Sequence, residues 1–98
     1  MSGFVYIMSN SFNTVFYCGS TYDLYNRVLQ HKEKFFPNSF SARYNLFKLV
    51  YFESFEDRSD ALNRERQIKA GSRRNKIRLI ESINPEYKDL FPEFVGET

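Results

Sequence analysis

Two short aromatic runs near the N-terminus constrain the fold more than any other feature of this chain. Phe4–Ser9 (FVYIMS) and Thr14–Gly19 (TVFYCG) both have the length and the β-branched and aromatic content of strands. Only NSFN, at Asn10–Asn13, lies between them, and asparagine and serine are turn formers. The pair therefore reads as an antiparallel hairpin. A turn centred between Ser11 and Phe12 sets Tyr6 opposite Tyr17. Cross-strand partners project from the same side of a sheet, so both phenols share one face, while Val5, Ile7, Phe16 and Cys18 take the other.

The rest of the chain supplies helices and one more strand. Gly19 ends the second strand, and Ser20 or Thr21 caps a helix from about Tyr22 to Lys34. Leu24 and Val28 make its apolar stripe, and Asp23, Arg27 and His31 recur every four residues along a polar one. FFPNSFSARYN then reads as a loop broken by Pro37, before a third strand from about Phe47 to Phe52. A helix follows over about Arg58 to Ala70, with Asp57 or Ser59 as its cap, Gly71 as its stop, and Ala61, Leu62 and Ile68 inward. Ser72 caps a last helix through Ile83, with Ile77, Ile80 and Ile83 inward and Arg73, Arg74, Lys76 and Arg78 outward. The segment INPEYKDLFPEF ends it and wraps over the body through Tyr87, Leu90, Phe91 and Phe94. The order β-β-α-β-α-α predicts an α+β fold, a small and mainly antiparallel sheet covered by helices. One domain is expected over residues 1–98, with its core at about 4–90 and a tail at 91–98.

Composition narrows the setting. Ninety-eight residues suit one core, and no apolar run approaches the roughly 20 residues of a membrane span. No secretory leader is evident and a single cysteine cannot close an internal disulfide, so a reducing cytoplasm is the expected location. Eleven Phe and seven Tyr exceed what one small core needs, which sends some aromatics to exposed or cleft surfaces. The net charge is only +2, but Arg64, Arg66, Lys69, Arg73, Arg74, Lys76 and Arg78 crowd one segment in which Glu65 is the sole acid. That segment is either a phosphate-binding surface or a pair of solvated helix faces.

Five polar residues could carry chemistry: Tyr6, Tyr17, Arg27, His31 and Glu65. Each also has a structural explanation, since strand tyrosines usually pack and a lone histidine is usually satisfied by neighbours. Glu65 is the most informative, because it falls among the apolar positions of its helix and must meet a cation, a metal or several donors there. Together the five suit phosphodiester hydrolysis. Glu65 would hold one divalent metal, Arg27 would neutralise the scissile phosphate, and a phenol or His31 would activate water. Cys18 has the parity of a core residue, one Cys and one His do not make a zinc site, and neither a Gly-rich phosphate loop nor a GxSxG elbow is present.

FVYIMSN, VFYCGSTYDLYNRVLQHK, KLVYFESFEDRSDALNRERQIK and SRRNKIRLIESINPEYKDL, running from Phe4 to Leu90, resemble the GIY-YIG nuclease superfamily and its small stand-alone bacterial members. The resemblance implies a three-stranded antiparallel sheet flanked by helices, and a phosphodiester-cleaving site using one divalent cation, Mg2+ or Mn2+. It makes Tyr6 and Tyr17 the tyrosines of the two signatures, Gly19 a glycine allowing a tight turn beside the site, Arg27 and His31 the helix pair, and Glu65 the metal ligand. Tyr17 is the favoured general base, assisted by Tyr6 and His31. The signatures here read Phe4-Val5-Tyr6 and Tyr17-Cys18-Gly19, so the departures from the family pattern spare the two tyrosines and the glycine. Asn75 and Asn84 are both candidates for an asparagine that many family nucleases place after the glutamate. The expected partner is DNA, with RNA an alternative, met through Arg64, Lys69, Arg73, Arg74, Lys76 and Arg78. A homodimer or a protein partner would also supply substrate choice, and no membrane is involved. The leading expectation is an endonuclease acting on DNA flaps, branches or damage. The alternatives are a nucleic-acid-binding module that cuts little or nothing, and an interaction subunit of a DNA-processing complex.

Overall fold

The computed structural model describes residues 2–95, and its order is β1 (Gly3–Ser9), β2 (Phe16–Thr21), α1 (Leu24–Lys32), α2 (Phe40–Arg43), β3 (Lys48–Phe55), α3 (Arg58–Ala70), α4 (Arg73–Ile83) and α5 (Phe91–Val95). The three strands form one antiparallel sheet in the order β2-β1-β3, so β1 is central and β2 is an edge. This is the expected α+β arrangement with two short helices added. α2 falls inside the stretch read as loop, where Ser39 accepts a hydrogen bond from the Ala42 amide and starts a helical turn. The last part of the anticipated tail, residues 96–98, lies outside the described residues.

The hairpin register is shifted by two residues from the sequence-based pairing. Tyr6 stands opposite Gly19 and Met8 opposite Tyr17. The reason is a longer connection: the Asn10 side chain accepts from the amides of Thr14 (2.9 Å) and Val15 (3.2 Å) and donates to Thr14 Oγ1, while Asn13 takes a left-handed conformation at φ 58°. Thr14 and Val15 are thereby drawn into the loop, and the strand runs on through Gly19 and Ser20 to Thr21. A shift of two keeps every side chain on its expected face, so Tyr6 and Tyr17 still share one.

Each face of the sheet carries its own apolar cluster. Val5, Ile7 and Cys18 meet Ala61 and Ile68 of α3 and Ile80 of α4. Tyr6 and Met8 meet Leu24 and Val28 of α1, with Leu46, Leu49 and the wrapping residues Leu90, Phe91 and Phe94. A bulge in β3, where Ile7 pairs with Tyr51 and Met8 with Leu49, leaves Val50 over and adds it to the α3–α4 side.

Three further expectations are corrected. α1 starts at Leu24 with Asp23 as its cap, accepting from the Asn26 amide at 3.1 Å, because Ser20 and Thr21 are still in the sheet. Leu62 is exposed, and Ala61 and Ile68 alone form the buried stripe of α3. Ile83 is exposed as well, since the chain leaves α4 through Asn84, whose buried amide binds the backbone of Val50 and Lys88. No helix among the described residues is long and apolar enough to cross a membrane.

Candidate active site

Tyr6 sits on the central strand with no solvent exposure, and its phenol reaches over a gap in the neighbouring strand β2. Gly19, directly opposite, makes that gap: a Cβ there would lie 2.8 Å from Tyr6 Oη and 3.0 Å from the Tyr17 ring. Gly19 is therefore not a turn residue. It lies within β2 with φ outside the left-handed range, and its value is the space it leaves between two phenols.

α1 closes the gap from above. Arg27 and His31 lie one helical turn apart, with Arg27 exposed and His31 half-buried. His31 Nε2 is 3.0 Å from Tyr6 Oη, and His31 Nδ1 is 2.7 Å from Ser41 Oγ on α2. A neutral imidazole has one donor and one acceptor nitrogen, so the chain Tyr6–His31–Ser41 carries its protons in one direction along both bonds. The Tyr17 ring lies 5.5 Å from that of His31 and 6.2 Å from that of Tyr6. Burial pushes the Tyr6 phenol well above the ordinary tyrosine range, with the neighbouring Tyr17 adding to it. Burial, then the Arg27 charge, pushes His31 down to about 4, so it is neutral at physiological pH. Tyr17, Arg27 and His31 line a cavity of about 190 Å³, completed by Gln30, Phe36, Ser39, Phe40 and Ser41.

Glu65 approaches from the other layer. It is on α3, where Ser20 Oγ of the edge strand donates to Oε1 (2.5 Å) and Lys69 Nζ donates to Oε2 (2.6 Å). Burial alone would raise this carboxyl, but the hydrogen bonds from Lys69 and Ser20, with the charges of Lys69 and Arg66, leave it below the usual range. The same Lys69 ammonium lies 5.8 Å from the centre of the Tyr17 ring, so α3 and the phenol meet around the edge of β2. Among the described residues no three acidic, histidine or cysteine side chains cluster as a metal cage. One carboxylate beside a hydroxyl is still a fitting hard-oxygen anchor for Mg2+ or Mn2+, which keep several waters and share phosphate oxygens.

The basic residues divide. Arg64 is committed to Glu53 (3.1 Å) and Gln67, Lys69 to Glu65, and Arg73 stacks 4.9 Å from the centre of the Phe16 ring. Arg64, Lys76 and Arg78 line a groove of about 400 Å³ between α3 and α4, with Asn75 at its side. Arg74 is exposed in the first turn of α4. Asn84 is the buried C-terminal cap of α4, with its side chain spent on the backbone of Val50 and Lys88. Ser20 and Ser41 were missed as site residues, the first because it reads as a cap and the second because a loop has no spacing to read.

A family model described as the GIY-YIG catalytic domain matches residues 2–78. The chain belongs to the GIY-YIG family. The match takes in Tyr6, Tyr17, Arg27, His31, Glu65 and the six basic residues, and it stops short of Asn84. Similar proteins include a UPF0213 protein of Pediococcus pentosaceus, 32% identical over 83% of this chain and 84% of its own length. Another, from Syntrophus aciditrophicus, is 35% identical over 85% of this chain and 93% of its own. The solution NMR structure of a UPF0213 protein from Bacillus halodurans shares the fold at a TM-score of 0.58 and 25% identity, covering 94% of this chain and 96% of that one. The architecture of this GIY-YIG chain is thus shared with a protein of about the same extent.

Proposed function

We propose that this chain is a divalent-cation-dependent endonuclease that hydrolyses phosphodiester bonds in DNA, with branched or damaged DNA as its substrates. The observation that carries the reading is the packing of Tyr6, Tyr17 and His31 against one another beside an exposed Arg27, with Glu65 held at the adjoining sheet edge. Arg27 forms no ion pair among the described residues, so its guanidinium is free to bind the scissile phosphate and offset the charge that builds on it. Tyr6 is buried, reluctant to ionise and bound to His31, which makes it a positioning residue. Tyr17, half-buried at the cleft, serves as base in its phenolate form: it takes the proton of a water as the water oxygen bonds to phosphorus, and becomes a neutral phenol. The departing sugar oxygen leaves with the electron pair of the broken bond and takes up a proton from solvent. A Mg2+ or Mn2+ ion on Glu65 would supply Lewis-acid stabilisation of the phosphate oxygens. Lys69, which lies beside both Glu65 and the Tyr17 ring, adds a positive charge to the same edge of the site.

A second reading has its own support. Because Lys69 neutralises Glu65 and a basic groove lies on the α3–α4 side, the domain could bind nucleic acid without cutting it. Incubation of labelled branched, nicked and single-stranded DNA, with and without Mg2+ or Mn2+, separates the two. Metal-dependent cutting that Glu65→Gln abolishes is the expected result. Equal cutting by the variant would refute the assignment, and salt-sensitive binding without cutting would favour the second reading.

A further inference from the structure

The proposed chemistry makes no use of the rings around the cleft. Phe35, Phe36, Phe40, Tyr44 and Phe47 are all exposed, and all fall within residues 35–47. Scattered apolar residues on a surface are ordinary, but this many large rings in one short stretch mark a place of contact. The stretch is held in shape from beneath: Ser41 and Ala42 of α2 are buried, and Ser41 is tied to His31. The Phe40 and Tyr44 rings lie 4.7 Å apart, and Phe40 also stands 6.4 Å from the Tyr17 ring. Phe36 and Phe40 thus form a wall of the same 190 Å³ cavity into which Tyr17 and Arg27 face.

We propose that this wall is a stacking site for one unpaired nucleobase, next to the phosphate held at Arg27. Its ligand class is single-stranded or locally unpaired nucleic acid. The inference rests on the proposed function for the position of that phosphate. Three observations converge on a base. The wall is built of aromatic rings, and every base has a π-face that can stack on such rings. Gln30, at the cavity, carries an amide donor and acceptor suited to a base edge, and Ser39 adds a hydroxyl. Arg27 brings a cation to the same opening, which suits the anionic backbone that accompanies a base and has no purpose for a purely apolar ligand. A paired base has both faces covered by its neighbours in the duplex, so only an unpaired or extruded one can enter. A helix of a protein partner would need a longer groove than this cavity offers.

The test is fluorescence anisotropy in EDTA with three probes: a thymidine 12-mer, the same strand with abasic sites at its centre, and a 12-base-pair duplex. Binding is expected to favour the intact single strand. Phe36→Ala should weaken that binding about fivefold or more and leave the abasic and duplex probes almost unchanged. Phe40→Leu, which keeps the packing volume and removes the π-face, should do the same. Losses that are equal for all three probes, or absent for all three, overturn the proposal. So does a dimer of the wild-type protein that Phe36→Ala dissociates, because the rings would then serve a second copy. The two readings can fail separately. The expected binding pattern without metal-dependent cutting keeps the stacking site and removes the nuclease. Cutting that is indifferent to both phenylalanine variants does the reverse.

Discussion

Tyr6 and Tyr51 occupy neighbouring strands, are both buried, and both have phenols pushed up chiefly by that burial. Their hydroxyls end in different places. Tyr51 donates to Glu53, and Arg64 closes on the same carboxylate at 3.1 Å, so acid and base neutralise each other on the α3–α4 side. Tyr6 instead meets the neutral imidazole of His31, held from behind by Ser41, next to an open cavity and an arginine without an acidic partner among the described residues. A buried tyrosine is therefore no mark of function by itself. What separates the two is whether the network beyond the hydroxyl is closed on itself or left open towards a ligand.

The largest expected effect tests that contrast through the two arginines. Arg27→Ala should lower metal-dependent cleavage by about 100-fold or more, as removal of one preorganised charge donor does. Arg64→Ala should leave cleavage within about twofold and cost about 1 kcal/mol of stability, read as a lower urea midpoint. A reversed ranking would mean that the closed network is the functional one. Next comes Gly19→Ala, whose Cβ would press on the Tyr6 hydroxyl at 2.8 Å. It should cost about 1–3 kcal/mol in denaturant unfolding. Tyr6→Phe removes the nearest of the atoms in the way but leaves the Tyr17 ring and Tyr6 Cζ at 3.0 Å, so the double variant should recover only part of that loss; a Gly19→Ala variant as stable as the wild type would show that the close approach is not the reason for glycine. Smaller again is the pair of phenol deletions. Tyr6→Phe and Tyr51→Phe should each cost about 1 kcal/mol in stability. Only Tyr6→Phe should also reduce cleavage, by roughly tenfold or more through a displaced imidazole.

How far these features could be read in advance follows from the range of each interaction. Strand parity is local, so the shared face of Tyr6 and Tyr17 was readable even though the pairing was two residues out. The register depended on Asn10 folding its side chain over Thr14 and Val15, which no alternation pattern contains. The limits of α3 were also readable, because Asp57 and Gly71 bracket a helical run. Helical spacing placed Glu65 beside Ala61 and Ile68, and could not say that this face meets the edge strand at Ser20. It also counted Leu62 as buried, since spacing cannot tell where a sheet ends and leaves a helix face uncovered. The excess of aromatics was visible in composition alone. Its concentration at the cleft was not, because residues 35–47 have no period and are shaped by one short helix tied to His31.

The finest test of the open and closed networks is acid. His31 is the only histidine in the chain, so its ring protons give one assignable NMR titration. The folded midpoint is expected near 4, below the ordinary value of about 6.5 for an unfolded histidine. Between those values the unfolded chain binds a proton that the folded chain refuses, so stability rises with pH across that window. The contribution is complete above about pH 6.5 and is lost as pH falls through 4. His31→Gln should flatten that part of the pH–stability curve. Arg27→Ala should raise the midpoint by less than the whole shift, because burial is the larger cause and Arg27 the smaller. Hydrogen bonds do not oppose the proton, since an imidazolium can donate to both Tyr6 and Ser41. An ordinary midpoint near 6.5 in the wild-type protein would mean that water reaches His31 freely, and the Tyr6 side would then lack the shielded neutral imidazole that distinguishes it from the Tyr51 side.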